Sequence, residues 1–375
     1  CIFPSYPLYF VHMPFTKGGF MERDIRLSTT VGEYHLGRGA IRYLDKVLES
    51  RKSDHDGQSI VFLDHFFRDH PLARHGDRSF FIDTSREPTT DQVDALVREL
   101  AGIDVCAVVG VGGGCVLDIA KAVSNLLNNV GRAADYQGWD LVPKPGVFKI
   151  GVPTLSGTGA EASRTCVMIN QERNLKMGMN SRYTVYDHLI LDPDLSETVP
   201  RNQFFYTAMD TYIHCIESLA GRYRHTLADA YSLAALELVR QVMHADDMLT
   251  PENREKVMVA SYLGGSAIGN SYVGVVHPVS AGLSTVLHTH HCVSNCIVML
   301  QMEEFYPQEY REFIQMVEKQ RIEIPKGVCA NLEEQQYRDL YDACVVHEVP
   351  LGNALGDQFR EVLTFEKARE LFVKM

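Results

Sequence analysis

The sequence predicts an N-terminal α/β domain on a Rossmann-like parallel sheet, followed by an all-α C-terminal domain. Three observations lead there. Up to about residue 200, short apolar runs alternate with segments of helical period. Beyond that point strand candidates almost vanish. Between them, the β-branched run VCAVVGVGGG (105–114) passes through three glycines directly into the helical segment VLDIAKAVSNLL (116–127). A β-α-β-α order of this kind predicts a doubly wound parallel sheet.

Taken in order, SIVFLD (59–64) and SFFID (79–83) read as buried strands and DQVDALVRELAG (91–102) as a helix. FKIGVPT (148–154) and HLILDP (188–193) read as further strands. In the second half, residues 226–245, 252–268, 307–320, 334–346 and 364–374 all repeat apolar residues at the helical period. The expected division is an N-terminal extension over 1–20, an α/β dinucleotide-binding domain over 21–200 and a helical metal-binding domain over 201–375.

A chain of 375 residues is long enough for two such cores. Its net charge of −12 argues against nucleic acid or an anionic membrane as the main partner and leaves a small-molecule substrate. The nine cysteines are odd in number, irregularly spaced and form no CxxC pair, so a reducing, cytoplasmic setting without disulfides is expected. No window approaches the eighteen or so apolar residues of a membrane span. The segment CIFPSYPLYFVHMPFTKGGF lacks a basic start and is broken by prolines, which makes it a poor signal peptide.

The strand–glycine–helix passage carries the first chemistry. Gly112, Gly113 and Gly114 let the backbone approach a ligand, and the N–H groups opening the next helix favour a phosphate. This is not the GxGxxG fingerprint, and glycines also close tight turns that bind nothing. A second loop, GVPTLSGTGAEAS (151–163), also follows a strand and offers Thr154, Ser156 and Thr158 to the same phosphates. Both loops would meet at the ligand edge of a doubly wound sheet. Asp64 ends SIVFLD, where an acid accepts hydrogen bonds from an adenine ribose and repels the extra phosphate of NADP; Asp also commonly begins a turn.

The second chemistry lies in AMDTYIHCIES (208–218). Asp210 and His214 stand four apart on one helix face, about 6 Å from each other, which suits a shared ion or a plain Asp–His hydrogen bond. Further ligands would come from VGVVHPVSAGLSTVLHTHHCVSN (273–295), with His277, His288, His290 and His291. A continuous helix from 277 to 291 would separate its ends by roughly 21 Å, too far for one ion. The chain must therefore break and fold back, most simply in HTHHC. Spacing alone does not choose among His288, His290 and His291.

Together, GVGGGCVLDIAK, VPTLSGTGAEAS, LILDPDL, AMDTYIHCIE and VVHPVSAGLSTVLHTHHCVSN resemble the iron-containing (group III, metal-dependent) alcohol dehydrogenase family. The resemblance covers about nine-tenths of the chain, from YHLGRGAI to LTFEKARELF. It implies a dehydroquinate-synthase-like architecture and Fe2+ or Zn2+ held by Asp210, His214, His277 and His291. His277 and His291 would then be catalytic as well as ligating. It implies NAD on Gly112, Gly113, Gly114 and Asp118, with Asp64 as the NAD-selecting acid, a small alcohol as substrate, and a homodimer. Cys215 and Glu217 read as packing and supporting groups.

Three departures stand out. Cys115 replaces the family's Ser, His290-His291-Cys292 replaces Pro-His-Gly, and Ala281 replaces a His that many members carry near the nicotinamide. That last change removes the usual proton path. Within the family, VVHPVSAGLS and HTHHCVSN most resemble the branch that oxidises C8 of the sugar acid 3-deoxy-D-manno-octulosonate (Kdo) for lipopolysaccharide. Its carboxylate needs a cation, and Arg164, Lys176 and Arg182 follow the second glycine loop; Lys176 would equally serve the cofactor. The rivals are a small-diol or lactaldehyde dehydrogenase, a dehydroquinate-synthase-like lyase, an oxygen-linked oxidase and a decayed, non-catalytic scaffold. The complete ligand set and glycine loop weigh against decay.

Overall fold

The computed structural model describes residues 28–375. The extension expected over 1–20 lies outside them. The first half runs β1 (Glu33–Leu36), α1 (Leu44–Asp54), β2 (Gln58–Asp64), β3 (Arg78–Ile82), α2 (Thr90–Glu99), β4 (Val105–Gly112) and α3 (Gly114–Asn128). It continues through β5 (Gly138–Trp139), β6 (Phe148–Pro153), β7 (Thr165–Asn170), β8 (Leu175–Asn180) and β9 (His188–Leu191).

Six strands form one sheet in the order β1-β9-β6-β4-β2-β3, every pairing parallel. All eight residues of β4 are buried, as a central parallel strand with both faces covered requires. The chain runs outward from β2 to β3, then crosses back to place β4 on the other side of β2. That reversal is a topological switch point, where ligands collect beyond the strands' C-terminal ends. Asp64 and Gly112 are the last residues of β2 and β4.

A second small sheet, β5-β8-β7, contains an antiparallel hairpin of β7 and β8 that the sequence pattern did not reveal. LKMGMN carries a Lys, a Gly and an Asn where a strand signal needs β-branched residues. Likewise α1, LDKVLESRKSD, buries only Leu44 and Leu48, too few for a clear periodic face.

From Arg201 onward the described chain is helical: α4 (Arg201–Ala220), α5 (Thr226–Met243), α6 (Pro251–Ser271), α7 (Val276–Val286), α8 (His291–Met299) and α9 (Pro307–Gln320). Then follow α10 (Glu334–Val345), α11 (Glu348–Leu355), α12 (Phe359–Val362) and α13 (Phe365–Val373). Every residue of α4 from Phe204 to Ser218 is buried, so this is the axis of the bundle, packed by α5, α6 and α8. No helix among the described residues is long and apolar enough to cross a membrane.

The second glycine loop joins the two halves. Thr211 Oγ1 on α4 donates to the Gly157 carbonyl at 2.7 Å, and the Gly157 N–H donates to Ser261 Oγ on α6 at 2.7 Å. Gly157 holds φ +151°, and a Cβ there would collide with the Thr207 carbonyl. Gly159, at φ +64°, packs directly on Gly265 of α6.

Candidate metal centre

Helix α4 presents Asp210, His214 and Glu217 at i, i+4 and i+7, one stripe of a helix face. His277 lies in the first turn of α7, and His291 opens α8. The expected fold-back occurs between them. Helix α7 stops at Val286, His288 takes the left-handed conformation at φ 56°, and His290 precedes α8 in extended geometry. A non-glycine residue there is held at a cost of roughly 1–2 kcal/mol. It turns the chain so that His291 returns to Asp210.

Asp210, His277 and His291 each offer a ligand atom within 4.8 Å of the others. Within that cluster, His277 Nε2 and His291 Nε2 stand 3.2 Å and 3.7 Å from Asp210 oxygens. Of the four expected ligands, His214 does not join that cluster. Its Nε2 faces Asp210 Oδ1 at 3.6 Å, but its ring stacks on His277, with centroids 4.5 Å apart.

Burial alone would raise the Asp210 carboxyl; the surrounding imidazoles outweigh it and hold the group well below the carboxylate range. Burial pushes His214 down to about 4, and burial with the Lys176 charge pushes His291 down to about 3. His277 goes the other way. Against burial, Glu217 and Asp210 raise it to about 9. Glu217 Oε2 meets His277 Nδ1 at 2.5 Å, and Asn295 Nδ2 donates to Asp210 Oδ1 at 2.7 Å.

This donor set fits a divalent cation. Two buried carboxylates, Asp210 and Glu217, bracket His277 and call for compensating positive charge. Burial favours the neutral imidazole, the form that ligates, at both His214 and His291, and each keeps a buried Nδ1 without a partner among the described residues. One carboxylate with imidazoles suits Fe2+ or Zn2+.

A cleft of about 940 Å³ runs from Asp64, Gly113 and Gly114 to His277 and His291. Thr154, Thr158, Asp118 and Lys176 also line it. At its sheet end, Gly114 lies so close to Thr158 that a Cβ would stand 3.1 Å from Oγ1. The Val116 N–H already donates to the Gly113 carbonyl at 3.1 Å, so the N–H groups of Gly114 and Cys115, which open α3, form the cradle for a diphosphate. Gly112 lies beneath, its carbonyl accepting the Thr154 N–H at 3.0 Å and tying both glycine loops together. Ser156 is not a cleft residue; its buried hydroxyl has no partner among the described residues.

The other expected residues have local duties as well. Asp64 accepts from the Phe66 N–H at 3.0 Å and from Thr84 Oγ1 at 2.9 Å, so it caps a turn at the cleft edge. Asp118, raised to about 6 by burial against the pull of Lys121, accepts the Val167 N–H. Lys176 pairs with Glu87 at 3.0 Å, and its charge reaches Cys115 and Cys292. Arg164 lines the cleft and pairs with Asp140, whereas Arg182 stands away from it over the Tyr183 ring.

Residues the sequence did not single out also face this space: Glu87, Trp139, Tyr272 and His347. None falls in a spaced motif, so only the fold assembles them here.

Residues 32–193 match the family model described as iron-containing alcohol dehydrogenase, and residues 204–349 match its C-terminal domain model. Over 215 residues the chain is 33% identical to the sulfoacetaldehyde reductase of Bilophila wadsworthia, covering 56% of this chain and 55% of that protein. Over 280 residues it is 29% identical to the NAD-dependent methanol dehydrogenase of Bacillus methanolicus, covering 70% and 71% respectively. The chain thus spans little more than half the length of the first of these relatives. The crystal structure of the Bifidobacterium kashiwanohense sulfoacetaldehyde reductase in complex with NAD+ shares the fold. It covers 93% of this chain and 98% of that one at TM-score 0.75 and 20% identity. With both halves matched in order around a common cleft, the chain belongs to the iron-containing alcohol dehydrogenase family.

Proposed function

We propose that this protein oxidises a primary alcohol of a polyol or sugar acid to an aldehyde, with NAD as acceptor and Fe2+ or Zn2+ at the Asp210 centre. One observation carries the reading: a single cleft joins the glycine turn after β4 to the buried carboxylate and its imidazoles. Asp210, His277 and His291 would hold the metal, with His214 as the fourth ligand. Gly113, Gly114 and Thr158 would hold the diphosphate. When bound, the metal supplies Lewis acidity toward a hydroxyl and the dinucleotide supplies a hydride acceptor. The chain itself orients these groups. Glu217 fixes the His277 ring, Asn295 fixes the Asp210 carboxylate, and the Gly157 loop locks the nucleotide side to α4 and α6.

We propose a carboxylated sugar, with C8 of Kdo as the specific candidate. Two cations support it, Arg164 and Lys176 on the cleft wall; Arg164 also keeps a buried Nε without a partner among the described residues. The test is formation of reduced nicotinamide by iron- and zinc-loaded protein with Kdo, 1,2-propanediol, glycerol and simple primary alcohols, each with NAD and NADP. Turnover of Kdo with NAD is expected. Turnover of small diols alone would move the substrate to that class. Aldehyde formed only in air, without reduced cofactor, would replace the dehydrogenase by an oxidase.

A further inference from the structure

We infer that His347 is the catalytic residue that accepts the substrate's hydroxyl proton, a role for which Ala281 in the same cleft has no group. The inference rests on the proposed alcohol oxidation.

Ala281 lines the cleft from α7, one turn after His277, and carries no group that exchanges a proton. His347 enters the same cleft from the turn between α10 and α11, and α10 and α11 both pack on α7. Its Nε2 is buried and has no hydrogen-bond partner among the described residues. Burying such an atom unpaired is unfavourable, and a bound hydroxyl would satisfy it. Burial above all, then the charges facing it from Lys176 on β8 and His277 on α7, favours a neutral imidazole, the form that takes a proton. Its backbone also begins α11, where the His347 carbonyl accepts the Leu351 N–H at 3.1 Å, so the ring projects from a fixed point.

The step balances. The carbinol O–H breaks and its proton goes to His347. The C–H electron pair leaves with its hydrogen as hydride to the NAD acceptor, and the C=O bond forms from the oxygen pair. The imidazolium returns its proton to water at the cleft mouth.

The experiment compares metal-loaded wild type, H347Q, H347A and the double variant A281H/H347Q, reading kcat, KM, metal content and NADH affinity. H347Q is expected to keep metal, NADH affinity and KM within about threefold while kcat falls on the order of 10²–10⁴-fold. A281H/H347Q is expected to recover at least tenfold of that loss, which a packing role for His347 would not allow. If H347Q retains kcat within threefold, or loses metal or NADH binding in step with activity, the assignment is overturned. A wild type that turns over no alcohol overturns the proposed function itself, and this role with it.

Discussion

Glu217 Oε2 and His277 Nδ1 meet at 2.5 Å inside the helical domain, while the other Glu217 oxygen takes the Val276 N–H at 2.5 Å. One buried carboxylate on α4 therefore sets both where α7 starts and how the His277 ring is turned. With Nδ1 engaged, Nε2 is left to face Asp210. Such outer partners typically contribute 10- to 100-fold in metal affinity. Glu217→Gln keeps the volume and one acceptor but removes the charge. Competition against a chromophoric chelator should show metal affinity falling by about that factor. An unchanged affinity would mean that Glu217 serves packing alone.

Asp64 is committed to the turn after β2 through Phe66 and Thr84, yet it remains on the cleft edge. Its charge should disfavour the extra phosphate of NADP. Asp64→Asn keeps an oxygen acceptor for the turn. The kcat/KM preference for NAD over NADP should fall by about tenfold, a difference of about 1.4 kcal/mol. A preference that does not move would place the adenine ribose elsewhere.

Glu87 and Lys176 are both largely buried, at 14% and 7% side-chain exposure. Removing one partner strands the other charge, at a cost of roughly 3–5 kcal/mol. Glu87→Gln and Lys176→Met should each lower the denaturation midpoint clearly, and the double variant should be more stable than their sum. Strict additivity in that cycle would show that the pair is not coupled.

Gly157 and Gly102 both have positive φ, but their surroundings differ. Gly102, at φ +79°, has nothing near its absent Cβ, whereas a Cβ on Gly157 would meet the Thr207 backbone. Gly102→Ala should cost about 1 kcal/mol from the backbone alone. Gly157→Ala should cost about 3 kcal/mol or more, because α4 and the loop must part. Thermal unfolding of the two variants separates these effects.

Much of the site was legible because its parts are local. Asp210, His214 and Glu217 share one helix face by spacing alone. The glycine turn is continuous with β4 and α3. The need for a break after His277 followed from helix rise, and α7 does end at Val286. Motifs in fixed order were enough to mark the family resemblance that the family models match. The β7–β8 hairpin was hidden because its strand character comes from pairing and from Gln137, which donates to the Met168 and Met177 carbonyls.

By itself, the sequence determined the two-part architecture, the glycine turn between β4 and α3 and the shared face of Asp210 and His214 on α4, since each depends on residues within a few positions of one another. Spacing left open which of three neighbouring histidines returns to Asp210; the family resemblance pointed to His291, and the structure brings it there because the left-handed His288 aims the chain. Only the tertiary structure decided the Glu87–Lys176 pair and the entry of His347 into the cleft that Ala281 also lines. These meet across dozens of residues, through packing of α10 and α11 on α7 and of the small sheet on the cleft. No local pattern encodes such distances.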